Sequence, residues 1–202
     1  MNSHAHQFTP GRTSSLPPLV LLHGSGGTET DLVPFAEELA PGSSTLGIRG
    51  AVAIDGGFAF FRRSPDRRID EADIAIRAIV LADFIESCCT TYRFAGAPLG
   101  IGFSNGAIMA AALLLMRPRL FGRAILFRPL SPFLEDKPTR LDATPVLIID
   151  GEKDTRRSPG DGLRLAERLV RAGARVTHHV LGAGHTMTPS DLQIARQWVT
   201  AS

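Results

Sequence analysis

Short apolar runs alternate with longer amphipathic stretches from Leu19 to the end of the chain. Four runs are almost continuously hydrophobic, which is typical of central strands in a parallel sheet that is covered on both faces. They are Leu19–Leu22, Pro98–Phe103, Arg123–Phe127 and Val146–Ile149. Residues 174–180 instead alternate between apolar and polar side chains, which indicates a strand nearer the edge of the sheet.

Five stretches repeat their apolar residues with a helical period, so each is predicted to lie against the sheet as a helix. They are Asp31–Leu39, Asp70–Cys88, Asn105–Met116, Gly162–Arg171 and Pro189–Val199. In the fourth, Val170 belongs to the apolar face and Arg168 to the charged face that should meet water. In the last, Trp198 lies on the apolar stripe and is interpreted as core. This alternation predicts an α/β fold with a mostly parallel central sheet flanked by helices.

Two long segments, 49–69 and 128–144, have no regular pattern, and such segments often line binding sites. Residues 1–17 are polar, and we expect a flexible N-terminal arm or a short edge segment there. A chain of 202 residues suits one well-buried core. Residues 18–202 are therefore predicted to form a single domain with no internal repeat and no cap domain.

Composition narrows the classes of function. A net charge of +2, with basic residues scattered in pairs, gives no indication of nucleic-acid binding. No apolar stretch is long enough to cross a bilayer or resembles a signal peptide, so we expect a cytoplasmic protein without a membrane partner. The adjacent Cys88 and Cys89 are interpreted as reduced thiols. His4 and His6 are weak metal candidates, a solvated tail being the simpler interpretation, and no metal site is predicted.

A serine flanked by glycines is the first sign of chemistry. Gly102-Phe103-Ser104-Asn105-Gly106 follows an apolar strand and precedes an apolar helix. This G-x-S-x-G pattern is typical of a sharp strand-to-helix turn that exposes a nucleophilic serine, with glycines that let strand and helix pass closely. The start of the following helix favours an anionic intermediate. Ser104 is therefore the predicted nucleophile.

A nucleophilic serine needs a neighbouring imidazole, which a carboxylate commonly orients. Asp154 follows a buried strand in GEKD, and His185 precedes the last helix in GAGH. The order nucleophile, acid, histidine is the one expected for this turn, and the carboxyl ends of the strands bring such residues together. The competing residues are explained better by strand ends, strand interiors or helix starts; they are Asp150, Asp161, His178 and His179.

Stabilising a tetrahedral oxyanion takes two backbone N–H groups. We assign them to Asn105, directly after the nucleophile, and to Ser25 in the glycine-rich loop LLHGSGG. His23 in that loop is interpreted as a structural hydrogen-bonding residue.

Aromatic and basic residues in segment 49–69 allow two interpretations each. The phenylalanines either line a substrate pocket or belong to the core; they are Phe58, Phe60 and Phe61. Arg62 and Arg63 either take part in a buried ion pair that holds the segment, which is the interpretation we favour, or contact an anion.

Together these motifs make the chain similar to the phospholipase/carboxylesterase branch of the α/β-hydrolases, and in particular to small bacterial esterases related to hydroquinone-resistance hydrolases. The resemblance begins near Pro18 and rests on LLHGSGGTETDLVPFAEELAPG, IRG with FFRR, GFSNGA, GEKD and GAGH. It implies an α/β-hydrolase fold without a lid, with Ser104 as nucleophile, His185 as general base and acid, and Asp154 orienting the imidazole. It also implies a small-molecule ester substrate, no cofactor and a possible homodimer.

We therefore expect a serine hydrolase that cleaves short- to medium-chain carboxylic esters through an acyl-enzyme. A thioesterase or lysophospholipase with the same triad, and a non-catalytic binder of a small ligand, are the alternatives. The sequence departs from the family pattern after the acid, where DTRRSP replaces a more apolar segment. Arg156 and Arg157 there either stabilise the charge of Asp154, attract an acidic substrate or, as the simplest expectation, are solvated.

Overall fold

The computed structural model describes residues 4–12, 16–63, 68–135 and 139–201. These residues form nine strands, which are β1 (His6–Thr9), β2 (Leu19–Leu22), β3 (Thr45–Ile48), β4 (Val52–Ile54), β5 (Gly57–Ala59), β6 (Leu99–Phe103), β7 (Arg123–Phe127), β8 (Pro145–Gly151) and β9 (Arg175–Leu181). Seven of them make one sheet in the order β1-β3-β2-β6-β7-β8-β9. All neighbours in it are parallel except β1, which pairs antiparallel with β3.

Five helices within these residues cover the sheet; they are α1 (Val33–Leu39), α2 (Glu71–Thr91), α3 (Asn105–Met116), α4 (Asp161–Arg171) and α5 (Pro189–Thr200). Buried residues of α2, α3 and α4 pack in one apolar cluster, and those of α1 and α5 pack in a second. The strands divide between the two clusters residue by residue. In β8, Val146 and Ile148 face the first, and Leu147 and Ile149 face the second. Two covered faces explain why the central strands are continuously apolar.

The predicted α/β fold with a mostly parallel sheet is confirmed, and β9 lies at an edge of the sheet as expected. One strand was not predicted, and one prediction for the irregular segments needs correction. The four residues of β3 form a fully buried strand that the sequence pattern does not indicate. Segment 49–69 also contains the β4–β5 hairpin, so it is not irregular throughout.

The N-terminal segment is an edge strand over His6–Thr9, which agrees with the predicted short edge segment and differs from a flexible arm. Two contacts hold it against Tyr92, the residue that directly follows α2. Phe8 stacks on Tyr92 with ring centroids 3.9 Å apart, and His6 Nε2 lies 2.7 Å from the Tyr92 hydroxyl. His4 Nδ1 lies 3.1 Å from the Arg49 carbonyl oxygen, so neither histidine belongs to a solvated tail. Residues 1–3 and 13–15 of the predicted arm lie outside the described residues.

Helix α4 differs from its predicted faces at two positions. Arg168 is buried, and its guanidinium donates to the Ser131 hydroxyl and to the carbonyl oxygens of Phe133 and Leu134. Val170 is 55% exposed. The segment after β7 crosses this face of the helix and supplies carbonyl acceptors, which a helical period alone does not reveal.

The remaining structural expectations concern Trp198 and the cysteines. Trp198 is half-buried at the second apolar cluster, with the Arg123 guanidinium 4.3 Å from its ring centroid.

Cys88 and Cys89 are free thiols. Burial raises the pKa of both, that of Cys89 to about 11, so both are protonated at neutral pH.

Within the described ranges, no helix is long and apolar enough to cross a membrane. The same residues contain no group of three or more histidine, cysteine, aspartate or glutamate side chains that could hold a metal ion.

Candidate active site

Ser104 stands at a sharp turn between β6 and α3. Its φ of 52° and ψ of −107° are unusual for a residue with a side chain, and its N–H donates to the Phe127 carbonyl oxygen at 2.9 Å. The flanking glycines are needed because the chain is crowded here. A Cβ on Gly106 would lie 2.0 Å from the Leu22 carbonyl oxygen, and one on Gly102 would lie 2.6 Å from the Gly106 carbonyl oxygen. Strand and helix therefore pass as closely as the sequence predicts.

The structure brings the three predicted catalytic side chains into one chain of hydrogen bonds. Ser104 Oγ lies 2.8 Å from His185 Nε2, and His185 Nδ1 lies 2.7 Å from Asp154 Oδ2. The Asp154 side chain is 1% exposed and that of His185 is 12% exposed. With Nδ1 donating to the carboxylate, Nε2 is free to accept the serine proton.

The environment of His185 favours the neutral imidazole. Burial lowers its pKa below the ordinary value, and the Arg157 and Arg156 cations lower it further, whereas the hydrogen bond and charge of Asp154 oppose this. The ring also lies against Phe103, with centroids 5.3 Å apart. The neutral form is the one that can act as a general base.

Arg128 holds the loop that carries His185. Its side chain is completely buried and forms two hydrogen bonds, of 2.7 and 3.0 Å, with the Asp191 carboxylate. The same guanidinium donates to the carbonyl oxygens of Gly184 and Thr186, on either side of the histidine. Asp191 in turn accepts from the Thr188 N–H and hydroxyl at the start of α5. These contacts hold the backbone on both sides of His185 and thereby fix the position of its imidazole.

The loop that carries Asp154 packs directly against the histidine loop. The second carboxylate oxygen of Asp154 accepts from the Arg156 N–H at 2.8 Å. A Cβ on Gly151 would lie 2.5 Å from the carbonyl oxygens of both Ala183 and Gly184. The acid and the imidazole therefore meet because their two loops are in contact.

The structure places both residues predicted to donate to the oxyanion, Ser25 and Asn105, next to Ser104. Ser25 lines the cleft beside Ser104, and Asn105 begins α3. In the described part of the chain, the backbone hydrogen bonds of loops, turns and helix ends include none donated by the N–H of Ser25 or of Asn105. The loop that contains Ser25 is anchored by the Gly26 N–H, which donates to the Phe58 carbonyl oxygen at 2.9 Å. The Asn105 side chain accepts from the Phe60 N–H at 2.7 Å, which ties β5 to the serine turn.

His23 is buried and bonded on both ring nitrogens. Nδ1 lies 2.6 Å from the Gly24 carbonyl oxygen, and Nε2 accepts from the Gly50 N–H at 3.0 Å. Burial lowers its pKa, so the ring is neutral. It joins the Ser25 loop to the end of β3, which agrees with a structural interpretation.

The competing acids and histidines do not reach Ser104. His178 Nε2 lies 2.7 Å from Asp150 Oδ2, so these two residues pair with each other. Asp161 accepts from the Ser158 N–H and pairs with Arg164 at the start of α4. His179 is exposed on β9.

A cleft of about 560 Å³ opens beside Ser104. Arg63 and Leu130 line it, one from each of the two long segments. Phe60 and Phe61 do not, because they are 2% and 1% exposed in the first apolar cluster. The core alternative therefore describes them. Phe58 is half-buried, lies under the Arg49 guanidinium at 4.6 Å and is not among the residues that line this cleft.

Three of the four arginines singled out in the sequence also differ from the favoured interpretation. Arg62 and Arg63 are exposed, which is inconsistent with a buried ion pair. Arg156 is exposed as expected, but Arg157 is half-buried and its Nη2 donates to Ser104 Oγ at 3.1 Å. This contact between a guanidinium and Ser104 Oγ was not predicted from the sequence. The replacement of an apolar segment by DTRRSP is the signal in the sequence that points to it.

A serine at such a turn, followed along the chain by an acid and a histidine at the carboxyl ends of parallel strands, is the arrangement of an α/β-hydrolase. The sequence of residues 54–202 matches the phospholipase/carboxylesterase family. The chain is 32% identical over 194 residues to MhqD of Bacillus subtilis (strain 168), a protein named as a hydrolase, and the match covers 96% of each chain.

Two solved structures extend this comparison. The carboxylesterase of Bacillus cereus has a TM-score of 0.95 and 34% identity, over 99% of this chain and 95% of that chain. The carboxylesterase of Mesorhizobium loti has a TM-score of 0.89 and 30% identity, over 95% of this chain and 91% of that chain. This chain belongs to the phospholipase/carboxylesterase family and is a carboxylic ester hydrolase, so the alternative of a non-catalytic binder is set aside.

Proposed function

We propose that this protein hydrolyses short- to medium-chain carboxylic esters through an acyl-enzyme formed on Ser104, with His185 and Asp154 completing a catalytic triad. The observation that carries the proposal is the continuous hydrogen-bond chain from Ser104 Oγ to His185 Nε2 at 2.8 Å and from His185 Nδ1 to Asp154 at 2.7 Å. A serine hydroxyl ionises too weakly to attack an ester unless such a base takes its proton.

Acylation begins when His185 Nε2 accepts the proton of Ser104 as Oγ attacks the ester carbonyl carbon. The resulting tetrahedral intermediate carries its negative charge on the former carbonyl oxygen. His185 then gives the proton to the alkoxide that leaves, so an alcohol departs and the acyl group stays on Ser104. Asp154 balances the positive charge on the imidazolium while it exists.

Deacylation repeats these steps with water. His185 takes a proton from water, the hydroxide attacks the acyl carbon, and the proton returns to Ser104 Oγ as the carboxylic acid forms. The side chains and water account for every bond made and broken. The proposed reaction therefore needs no metal or organic cofactor.

The N–H groups of Ser25 and Asn105 are proposed to bind the oxyanion. Their positions support this role, since Ser25 lines the same cleft as Ser104 and Asn105 directly follows Ser104 at the start of α3. Each such donor lowers the barrier by about 3 kcal/mol in serine hydrolases.

The size of the cleft supports the proposed substrate range. A volume of about 560 Å³ accommodates a small ester. Turnover is expected to be highest for 4-nitrophenyl esters with acyl chains of about two to eight carbons and to fall for longer chains. Matched oxygen and sulfur esters of the same acids would separate an esterase from a thioesterase. A clear preference for long chains or thioesters would contradict the proposal.

The triad is tested by Ser104→Ala. The variant should lose 4-nitrophenyl acetate hydrolysis by at least about 10³-fold and should no longer be labelled by a fluorophosphonate probe. Ser87→Ala, which removes an exposed hydroxyl on α2, is the matched control and should keep both activities. Undiminished hydrolysis by Ser104→Ala would disprove the role of the serine.

A further inference from the structure

Arg157 places a positive charge against the nucleophile. Nη2 donates to Ser104 Oγ at 3.1 Å, Nε donates to the Arg128 carbonyl oxygen at 2.8 Å, and Nη1 donates to the Arg156 carbonyl oxygen at 3.1 Å. All three acceptors are uncharged. A guanidinium has five N–H donors, so one on each terminal nitrogen remains available. Two such donors suit the two oxygens of a carboxylate.

The carboxylates nearest to Arg157 have other partners. Asp154 accepts from His185 and from the Arg156 N–H. Asp161 is paired with Arg164 at 2.5 Å and accepts from the Ser158 N–H. Among the described residues, none of the ion pairs includes Arg157. Arg157 therefore forms no direct ion pair with a carboxylate in the described part of the chain, and Asp154, Asp161 and Asp150 act on its charge only at longer range.

Arginines outnumber carboxylates along the cleft. Arg63, Arg156 and Arg157 line it together with Ser104, and Asp161, which is paired with Arg164, lines it as well. Burial and the Arg63 cation lower the pKa of Arg157 to about 10, so it is still protonated at neutral pH. Like charges gathered at one cleft disfavour each other, and an anion that enters the cleft relieves this cost.

We propose that the cleft selects esters that carry a carboxylate close to the scissile carbonyl, and that Arg157 is the residue that binds this carboxylate. This inference rests on the proposed function of Ser104. The reacting carbonyl carbon must come within about 3.5 Å of Ser104 Oγ, and Arg157 lies beside that atom, so a short chain must join the two groups. Monoesters of dicarboxylic acids with about four or five carbons have this form.

The test compares monomethyl glutarate with dimethyl glutarate, which is neutral but carries the same ester. Both are assayed in a pH-stat at pH 8, where His185 is neutral. The wild type should show a higher kcat/KM for the monoester. Arg157→Gln should lower kcat/KM for the monoester by about tenfold or more, mainly through KM, and that for the diester by less than about threefold. Arg157→Lys should restore part of the monoester activity because it keeps the charge.

Arg140→Gln, at a fully exposed arginine paired with Asp142, is the matched control and should leave both activities unchanged. Equal loss for both esters in Arg157→Gln, or a wild-type preference for the diester, would overturn the inference. Hydrolysis of dimethyl glutarate and its loss in Ser104→Ala test the proposed function separately.

A second measurement needs no variant. Glutarate should inhibit diester hydrolysis by the wild type competitively and at least about tenfold more strongly than the neutral glutaramide. Equal inhibition by the two compounds would also overturn the inference.

Discussion

Asp191→Asn removes one charge from the ion pair that holds the histidine loop while keeping the size of the side chain. Both members of the pair, Arg128 and Asp191, are 0% exposed. In the variant, the Arg128 guanidinium remains buried between Gly184 and Thr186 without a counter-charge. The carbonyl oxygens around it are dipoles and do not replace a carboxylate.

The size of the effect follows from this burial. Removing one partner of a buried ion pair typically costs about 3–5 kcal/mol, because it leaves an uncompensated charge. An asparagine has only one acceptor oxygen, so it cannot serve both Arg128 Nη1 and the Thr188 groups of the α5 capping box, and losing either set of bonds adds to this cost. In a domain of this length, the melting temperature should fall by roughly 6–20 °C.

Urea and thermal unfolding of the wild type and the variant measure this directly. Asp83→Asn makes the same chemical change in an exposed pair, Arg117 with Asp83, whose side chains are 41% and 60% exposed. That control should lose less than about 1 kcal/mol. If the two variants were destabilised equally, the inference that this buried pair fixes the histidine loop would be refuted.

Three further predictions concern the catalytic base, the serine turn and the core. Because burial lowers the pKa of His185 and the base must be neutral, the acid limb of kcat/KM should lie below pH 6.5, and a limb above pH 7 in a pH profile would contradict this. Gly106→Ala should yield a strongly destabilised or misfolded protein in thermal melts, since the new Cβ would lie 2.0 Å from the Leu22 carbonyl oxygen, whereas Gly96→Ala, with nothing within 4 Å, should not. Phe60→Ala should cost about 3–5 kcal/mol in urea unfolding, as expected for a buried core residue, and little destabilisation would argue against core packing.

Much of the sheet could be predicted from the sequence because its central strands are buried on both faces. Leu19–Leu22 and Arg123–Phe127 were delimited from this pattern alone. The strand Thr45–Ile48 could not be, since four residues, two of them apolar, do not stand out from a loop. It is a strand because β1 and β2 pair with it on either side, which is a property of the tertiary structure.

The candidate site also contains residues that the sequence predicts and residues that it does not. Ser104, Asp154 and His185 could be nominated because the chemistry requires these residue types and the parallel sheet requires them at its carboxyl edge. The contacts of Arg157 and Arg128 could not be predicted. Where Arg157 and Arg128 point depends on carbonyl groups that other loops present to them, and no periodicity in the sequence encodes those contacts.

The contact between the acid and histidine loops also has an evolutionary consequence. With no room for a side chain at Gly151 against Ala183 and Gly184, an insertion into either loop near this point would push the carboxylate away from the imidazole. Residues 157–160, which follow the Arg156 N–H bonded to Asp154, are mostly exposed and carry the arginine that faces the cleft. New substrate preferences can therefore arise by changing the length and composition of this short stretch while the machinery beneath it is inherited unaltered.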